Sequence, residues 1–445
     1  MATGSIAVVG GGLAGLSAAV ELKQRGFVVE LLERSRLLGG KATSFKLGDV
    51  EVDNGQHVFL ACCTEFMDFV QQLDGVAPTG ESALFLQERF DALLLARHRA
   101  PAHLRAVALP GLLRLAPALL RYRYLALPER LRLAGALLDA RAPALHGETF
   151  AAWLKRHGQS AAMRRAFWDP FLVPALNAPP EEVAADAALF VIATAFLRDA
   201  GAARFGFARV PLAHIAAAAA RRLDQVRLRT PVVGLDFVEQ ALGSDPALRG
   251  VVVEGGERLS YDGVVLAVPP DRLKRVLGNP EAFGVRSLDE IRTAPIVDVH
   301  LWYDAPTLGF GFAALLDSPV QWVFEKAPGY LCCSMSAADQ YVNWASSDLI
   351  ELCRRELEDA LPTLRKATLL HGAATRDHDA TFVPSPGLHR PGPATSCARV
   401  VIAGAWTDTG WPATMESAVR SGRAAARTLA AHLAHERNGK ENADG

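Results

Sequence analysis

Charge of one sign is the first thing this sequence lacks. Lys and Arg total 47, Asp and Glu 48, and the net charge is -1. A protein that holds nucleic acid carries a segregated positive surface, so nucleic acid is not expected as a partner. Cysteine is sparse: two adjacent pairs, Cys62-Cys63 and Cys332-Cys333, with Cys353 and Cys397 alone. None has CxxC spacing, so a zinc site, a disulfide framework and thioredoxin-type chemistry are unsupported; reduced thiols and no metal are expected. No run reaches the ~18 uncharged apolar residues that a spanning helix needs. Residues 6–20 are apolar, but no basic segment precedes them and glycines 10, 11, 12 and 15 interrupt them, unlike a signal peptide. A cytoplasmic protein is expected, with contact to a membrane surface as a separate question. Against these absences stand 445 residues, 50% hydrophobic and 21% charged. At a typical ~100–200 residues per domain this predicts two or three domains with large cores, and excludes disorder, collagen and coiled coil.

Ser5–Val9 reads as a short buried strand closed by glycines. Gly10, Gly12 and Gly15 then give G-x-G-x-x-G, a helical pattern runs from Leu13 to about Arg25, Gly26 caps it, and a second strand over 27–32 ends on Glu33. Each element has a role in holding a dinucleotide. Gly10 permits the tight turn, Gly12 lets backbone approach a pyrophosphate, and Gly15 lets helix pack on strand. The helix N-terminus offers free N–H groups to the anion, and Glu33 is placed to accept from ribose hydroxyls. A few residues beyond Glu33 and Arg34, Gly39-Gly40-Lys41 makes a second backbone cradle along a longer cofactor. That favours FAD over NAD, although an ordinary Gly-Gly turn reads the same way in isolation.

At the other end, residues 399–403 form a strand leading into Gly404, Trp406, Asp408, Gly410, Trp411 and Thr414. A helix follows from Met415 to about residue 435 with Thr414 as N-cap. Ala418, Ser421, Gly422 and Ala425 recur at helical spacing, so one face of that helix can lie close to another surface. A helix N-terminus pointing into the cofactor site favours negative charge on reduced flavin, and Asp408 could accept from ribityl hydroxyls.

The motifs VVGGGLAGLSAAVEL (8–22), LLERSRLLGGKATSF (31–45) and GAWTDTGWPATMESAVRSG (404–422) resemble the amine-oxidase and phytoene-desaturase superfamily of FAD flavoproteins. The resemblance covers most of the chain. It implies an α/β fold, a Rossmann-type FAD-binding domain interleaved with an α+β substrate domain. It also implies FAD contacts at Gly10, Gly12, Gly15, Glu33, Arg34, Gly39, Gly40, Lys41, Gly404, Asp408, Thr414 and Met415, and a backbone contact to adenine at Val232. Lys41 departs from the usual Arg, keeping the charge and losing the bidentate fork. The stretches 53–64, 148–179 and 381–387 narrow the likeness to the squalene-associated FAD-dependent enzymes, the hydroxysqualene dehydroxylases of bacterial hopanoid biosynthesis. That implies reductive removal of an allylic hydroxyl from a C30 isoprenoid.

Residues 92–128 bear on a lipid substrate independently. They hold six arginines (97, 99, 105, 114, 121, 123), no acidic residue, and leucines between prolines 101, 110, 117 and 128. The pattern predicts short helices lying on anionic lipid, or else a helical subdomain with a solvated basic face. An allylic alcohol needs one proton on its departing oxygen, a dry pocket and a hydride. His57 and Asp53 are candidate acids because the 53–57 turn should enter the flavin site; equally, Asp53 could satisfy turn backbone and His57 pack. Asp169, between Trp168 and Pro170, is a third candidate acid or an N-cap. Trp168, Phe171, Trp406 and Trp411 are expected to line the pocket, where aromatic faces would support a carbocation.

The order of motifs divides the chain into an FAD domain of 1–85, 215–269 and 395–435 and a substrate domain of 86–214 and 270–394. A disordered tail over 436–445 is expected. No second dinucleotide fingerprint appears, so the electron donor is expected to be external, NAD(P)H or a small redox protein. Two other readings stay open: a carotenoid- or squalene-type desaturase or amine oxidase, in which hydride runs the other way, and a non-catalytic prenyl-lipid-binding protein of the same fold.

Overall fold

The first strand explains the architecture. Ile6, Ala7 and Val8 are fully buried, so both faces of Ser5–Val9 must be covered, which is the condition for a central strand of a parallel sheet. The computed structural model describes residues 4–48, 50–77, 82–109, 111–199, 201–238 and 247–441. In it, five parallel strands lie in the order 225–227, 28–32, 5–9, 263–266 and 400–402. The sheet is thus assembled from the two ends of the chain and its middle. Ile6 and Val8 pack against Leu13–Gln24 and the terminal helix Met415–Glu441; Ala7 and Val9 pack on the other side against Leu273, Val276 and Trp406. A three-stranded antiparallel sheet, 232–238, 247–253 and 258–260, follows it. Gly255 and Gly256 turn its hairpin with φ of +90° and +87°, angles that favour glycine.

The helix stripe of small residues has a definite partner. A Cβ on Gly422 would lie 2.1 Å from both the Ala14 carbonyl oxygen and the Ser17 hydroxyl, and Ser17 Oγ donates to the Val419 carbonyl at 3.2 Å. The terminal helix therefore rides backbone-to-backbone on the first one. It continues to Glu441, past the boundary at 436 where a disordered tail was expected; residues 442–445 lie outside the described residues.

The second large sheet has seven strands in the order 369–382, 293–303, 330–336, 322–327, 312–315, 91–95 and 102–105. Here the expectation of short helices throughout 92–128 fails for its first half. Asp91–Leu95 pairs in parallel with 312–315 and antiparallel with Ala102–Arg105, which alternates buried and exposed. That alternation has period two, and a period-two pattern buries one face only as a strand. A 3-10 turn at Gly111–Arg114 and the α-helices Ala116–Arg121 and Leu127–Asp139 follow; Pro110 lies outside the described residues.

Because Gly422 meets backbone, Gly422→Ala is expected to destabilise the protein by about 1–3 kcal/mol through overpacking. Gly135→Ala, in a helix with open space around its missing Cβ, should stabilise by about 0.4–1 kcal/mol. Thermal unfolding of both variants beside the parent checks the opposite signs.

Candidate functional site

The G-x-G-x-x-G turn is closed by contacts that admit no side chain. Gly10 has φ +107°, and a Cβ there would sit 2.3 Å from the Ala267 carbonyl oxygen; one on Gly15 would sit 1.9 Å from the Gly10 oxygen. Gly12 caps the first helix without a side-chain hydrogen bond, leaving the first-turn N–H groups to an anion. The second glycine pair faces it: Gly39 N–H donates to the Gly11 carbonyl at 2.7 Å, and a Cβ on Gly40 would come 3.0 Å from Gly12 Cα. Two bare backbones thus make one cradle. Glu33 Oε2 accepts from Gly11 N–H at 2.6 Å and Oε1 from Ser35 N–H at 2.7 Å, so the acid holds the turn itself. Arg229 N–H and Thr230 N–H donate to the Ser35 and Glu33 carbonyls, bringing Val232 to the same end on an edge strand. Arg34 is exposed beside it. This arrangement fits the adenosine diphosphate part of a dinucleotide.

The C-terminal segment closes the other side. Gly404 N–H donates to Ser421 Oγ at 2.9 Å, Thr414 Oγ1 caps Ser417 N–H at 3.1 Å, and Met415 is half-buried. Asp408 is exposed, accepting from Gly410 N–H at 3.2 Å. The expectations did not include Glu416. It is fully buried, accepts from Phe66 N–H at 2.8 Å and Arg420 Nε at 2.7 Å, and so ties the terminal helix to the start of Thr64–Gln71. Its place just after the N-cap, where acids favour a helix, masked this second role.

The three candidate acids separate. Asp53 Oδ1 accepts from Ser44 Oγ at 2.7 Å and Leu212 N–H at 3.0 Å, which ties it to the start of the strand 44–47 and of the helix Leu212–Ala220. His57 is half-buried beside it. Burial lowers its pKa below 6.5, so the imidazole is neutral at neutral pH, and its Nδ1 is buried without a partner. Asp169 opens the helix Asp169–Leu176 beside Arg164 at 3.6 Å; burial raises its pKa and Arg164 opposes that.

The four predicted pocket aromatics also part company. Trp168 is fully buried against Phe150 and Trp153, its Nε1 donating to Gln159 at 3.0 Å. Trp406 donates to the Val268 carbonyl on the far side of the nucleotide sheet, and Trp411 packs on Phe190 under Arg420. Phe171 alone joins the aromatic wall that the structure does build, with its ring 5.9 Å from Trp322. Phe205 lies 4.9 Å from Phe312 and 5.6 Å from Trp322, and Phe207 lies 5.2 Å from Phe312. Cross-strand register sets Asp298, Ser334 and Trp322 in one row, and His300, Cys332, Phe324 and Phe312 in the next-but-one row on the same face. One sheet face therefore carries the aromatic rings and two buried ionisable groups.

One of the two, Asp298, touches the turn that leaves the cradle. Asn54 Nδ2 donates to the Lys41 carbonyl at 3.0 Å, and Gly55, at φ +76°, would place a Cβ 2.6 Å from Asp298 Oδ2. Lys326 Nζ donates to Gln56 at 2.8 Å, and Lys41 Nζ pairs with Asp377 at 3.1 Å rather than standing free for phosphate. His300 Nδ1 lies 2.8 Å from Tyr330 Oη, its Nε2 is buried without a partner, and burial pushes its pKa down to about 4. A signal for this cluster exists in the sequence: Asp298 and His300 alternate with Val297, Val299 and Leu301 along a predicted buried strand, which aims both polar groups the same way.

Comparison with known proteins places the site in context. The family model for flavin containing amine oxidoreductases matches residues 13–430. The hydroxysqualene dehydroxylase of Rhodopseudomonas palustris is 30% identical, over 96% of this chain and 99% of its own. The 15-cis-phytoene desaturase of Synechococcus elongatus is 23% identical over 96% of each. Among solved structures, an oxidoreductase from Methanosarcina mazei shares the fold with a TM-score of 0.70 at 16% identity, covering 94% of this chain and 98% of that one.

His300 supplies a pH test. Its folded pKa of about 4 lies below the ordinary 6.5, so the unfolded chain takes up the proton first. The stability it contributes is present above pH 6.5 and lost as pH falls toward 4, by at most about 3 kcal/mol. His300→Gln should show a smaller fall in unfolding temperature between pH 7.5 and 4.5 than the parent, measured side by side.

Proposed function

This chain belongs to the flavin-containing amine oxidoreductases and is an FAD-dependent oxidoreductase, and we propose that it converts hydroxysqualene to squalene, supplying hopanoid synthesis. The observation that carries the reading is the full-length likeness to a protein named hydroxysqualene dehydroxylase. The aromatic cluster supports it, Phe312, Trp322 and Phe324 on the seven-stranded sheet packing against Phe171 on a helix and Phe205 and Phe207 on the strand 205–208, since a C30 hydrocarbon needs a long apolar wall. FAD bound in its reduced form would supply the hydride. The residues of the chain do the rest: Gly10, Gly12, Gly39 and Gly40 admit the dinucleotide, and the aromatic wall excludes water and faces the allylic cation as the protonated hydroxyl departs as water. The likeness to phytoene desaturases favours a second reading, in which hydride passes from an apolar polyene to oxidised FAD. Anaerobic incubation of the chemically reduced holoenzyme with hydroxysqualene, followed by gas chromatography, should yield squalene. Oxidation of squalene by the oxidised holoenzyme, with no squalene formed in the first arm, would establish the second reading instead.

The same substrate implies a lipid surface, and the contact is proposed over a shifted set of residues. Of the six arginines, Arg114 is buried with Nη2 on the Phe196 carbonyl, Arg97 pairs with Glu356, and Arg105 pairs with Asp91 at 2.6 Å. What faces outward is leucine: Leu109, Leu113, Leu120, Leu127, Leu131, Leu138 and Leu145 are all exposed, with Arg121 and Arg123 among them. Leu127, Leu131 and Leu138 form a stripe on one helix whose other side, Leu133, Ala136 and Leu137, is already buried. Such a helix supports shallow insertion into anionic lipid. Among the described residues no helix is long and apolar enough to cross a membrane. Changing Leu127, Leu131 and Leu138 to Gln should weaken co-sedimentation with phosphatidylglycerol vesicles by about tenfold or more, without lowering the unfolding temperature. Unchanged binding would remove this contact.

A further inference from the structure

We propose that Asp298 protonates the departing hydroxyl, in a polar notch completed by His57 and His300. The inference rests on the dehydroxylase reading above and deepens it by naming where the one polar atom of the substrate sits.

Three observations meet at this residue. First, position: Asp298 shares its sheet face and its cross-strand row with Trp322, so its carboxyl stands at the end of the aromatic wall. It also touches the turn that leaves the nucleotide cradle, with Oδ2 2.6 Å from where a Gly55 Cβ would be and Oδ1 3.4 Å from Gln56 N–H. The carboxyl thus stands between the row that holds Trp322 and the turn that leaves the cradle. Second, unmet capacity: His57 Nδ1 and His300 Nε2 are buried with no hydrogen-bond partner, on the same turn and the same strand face. Buried polar atoms are ordinarily paired, and a hydroxyl is the kind of group that would pair these. Third, elimination by contact. Asp53 is committed to Ser44 and Leu212 and Asp377 to Lys41, while Asp169, whose Oδ1 is also buried without a hydrogen-bond partner, opens a helix beside Arg164 at 3.6 Å and does not touch the turn at Gly55 and Gln56 as Asp298 does. Tyr330, whose hydroxyl meets His300, is held by burial far above the range of a useful acid.

The charged and titratable surroundings of Asp298 come from four elements. Burial is the largest influence and raises its pKa. Ser334 on the adjacent strand and Gln56 N–H on the turn lower it by hydrogen bonding, Asp377 on the other adjacent strand raises it, and Lys326 lowers it. The outcome is a carboxyl pushed up to about 6, protonated over the range in which an ordinary aspartate has long since ionised. In the step, the proton passes from the Asp298 carboxyl to the substrate oxygen, and the carbon–oxygen bond breaks with its electron pair leaving on water. The allylic carbon takes the hydride supplied by reduced FAD, which is thereby oxidised. Asp298, now a carboxylate, regains a proton from solvent.

The test uses the FAD-loaded protein and its Asp298→Asn variant in two forms. In the oxidised form, where no turnover occurs, binding of hydroxysqualene and of squalene is compared. The parent should prefer the alcohol, and the variant should lose that preference by about tenfold or more while holding squalene as before. In the reduced form, single-turnover squalene formation should fall by about 10²–10⁴-fold in the variant. In the parent the same rate should decline as pH rises past about 6, following the acid form of the carboxyl. Infrared difference spectra of the parent, which need no variant to fold, should show a protonated-carboxyl C=O band that disappears through the same midpoint. An intact alcohol preference in Asp298→Asn, or a pH-independent carboxyl band in the parent, overturns the assignment while leaving the dehydroxylase reading standing. Failure of the parent to bind either C30 compound overturns that reading, and this proposal with it.

Discussion

The structure depends on one close approach: the first and last helices of the chain pack so closely at Gly422 that there is no room for a Cβ between them. Gly422 places the terminal helix against the Ala14 carbonyl and the Ser17 hydroxyl, and Ser17 returns a hydrogen bond to Val419. A Cβ on Gly422 would meet the Ala14 carbonyl and Ser17 hydroxyl, and the last helix follows the strand 400–402, which pairs with 263–266 in the same sheet. The backbone cradle of Gly10, Gly12, Gly39 and Gly40 is set by the same sheet. Closing a contact across some four hundred residues costs little more entropy than across one hundred, because closure entropy grows only logarithmically with length. The expense lies in ordering backbone, and burial of strands such as Ser5–Val9 on both faces offsets it.

A second junction couples that nucleotide layer to the seven-stranded sheet. Gly55 lies against Asp298, Lys326 reaches Gln56, and Lys41 reaches Asp377, so three elements of the substrate layer grip the segment 41–56. These links are mostly polar and short, whereas the helix junction is apolar and continuous. Rigidity in the cradle and polarity at its exit are therefore separate properties, supplied by different residues.

The nucleotide-binding half was readable because its signals are local. Strand, glycines, helix, strand and acid lie within thirty-three residues, and a glycine at Gly10 or Gly40 is required by its own φ and nearest backbone. The small-residue stripe at 418–425 likewise announced a close partner, though not which one. The aromatic cluster was not readable in this way. Phe171, Phe205, Phe312 and Trp322 become neighbours only where a helix, a three-stranded sheet and the seven-stranded sheet pack together, whereas Trp406 and Trp411, nearer the motifs, pack elsewhere. Asp298 carried a local sign, a polar residue alternating within an apolar strand. Its meaning depended on what faces the strand. The segment 92–105 misled for a different reason: its arginines suggested a surface helix, while the alternation beneath them belonged to a sheet edge.

Electrostatics on the inner face follows from which groups are paired. Lys41 with Asp377 and Lys326 with Asp53 are opposite charges held close, so their fields largely cancel at the aromatic wall. His57 and His300 are kept neutral by burial. The charge on the wall then changes through one carboxyl. While Asp298 keeps its proton, the face is close to neutral and suits a hydrocarbon. In the proposed step, once the proton left with the hydroxyl, a carboxylate would face the positive charge forming on the allylic carbon, in surroundings where charges are poorly screened. That attraction would arise only as the bond breaks, so it would stabilise the transition state more than the bound alcohol, which is the condition for acceleration rather than tighter binding.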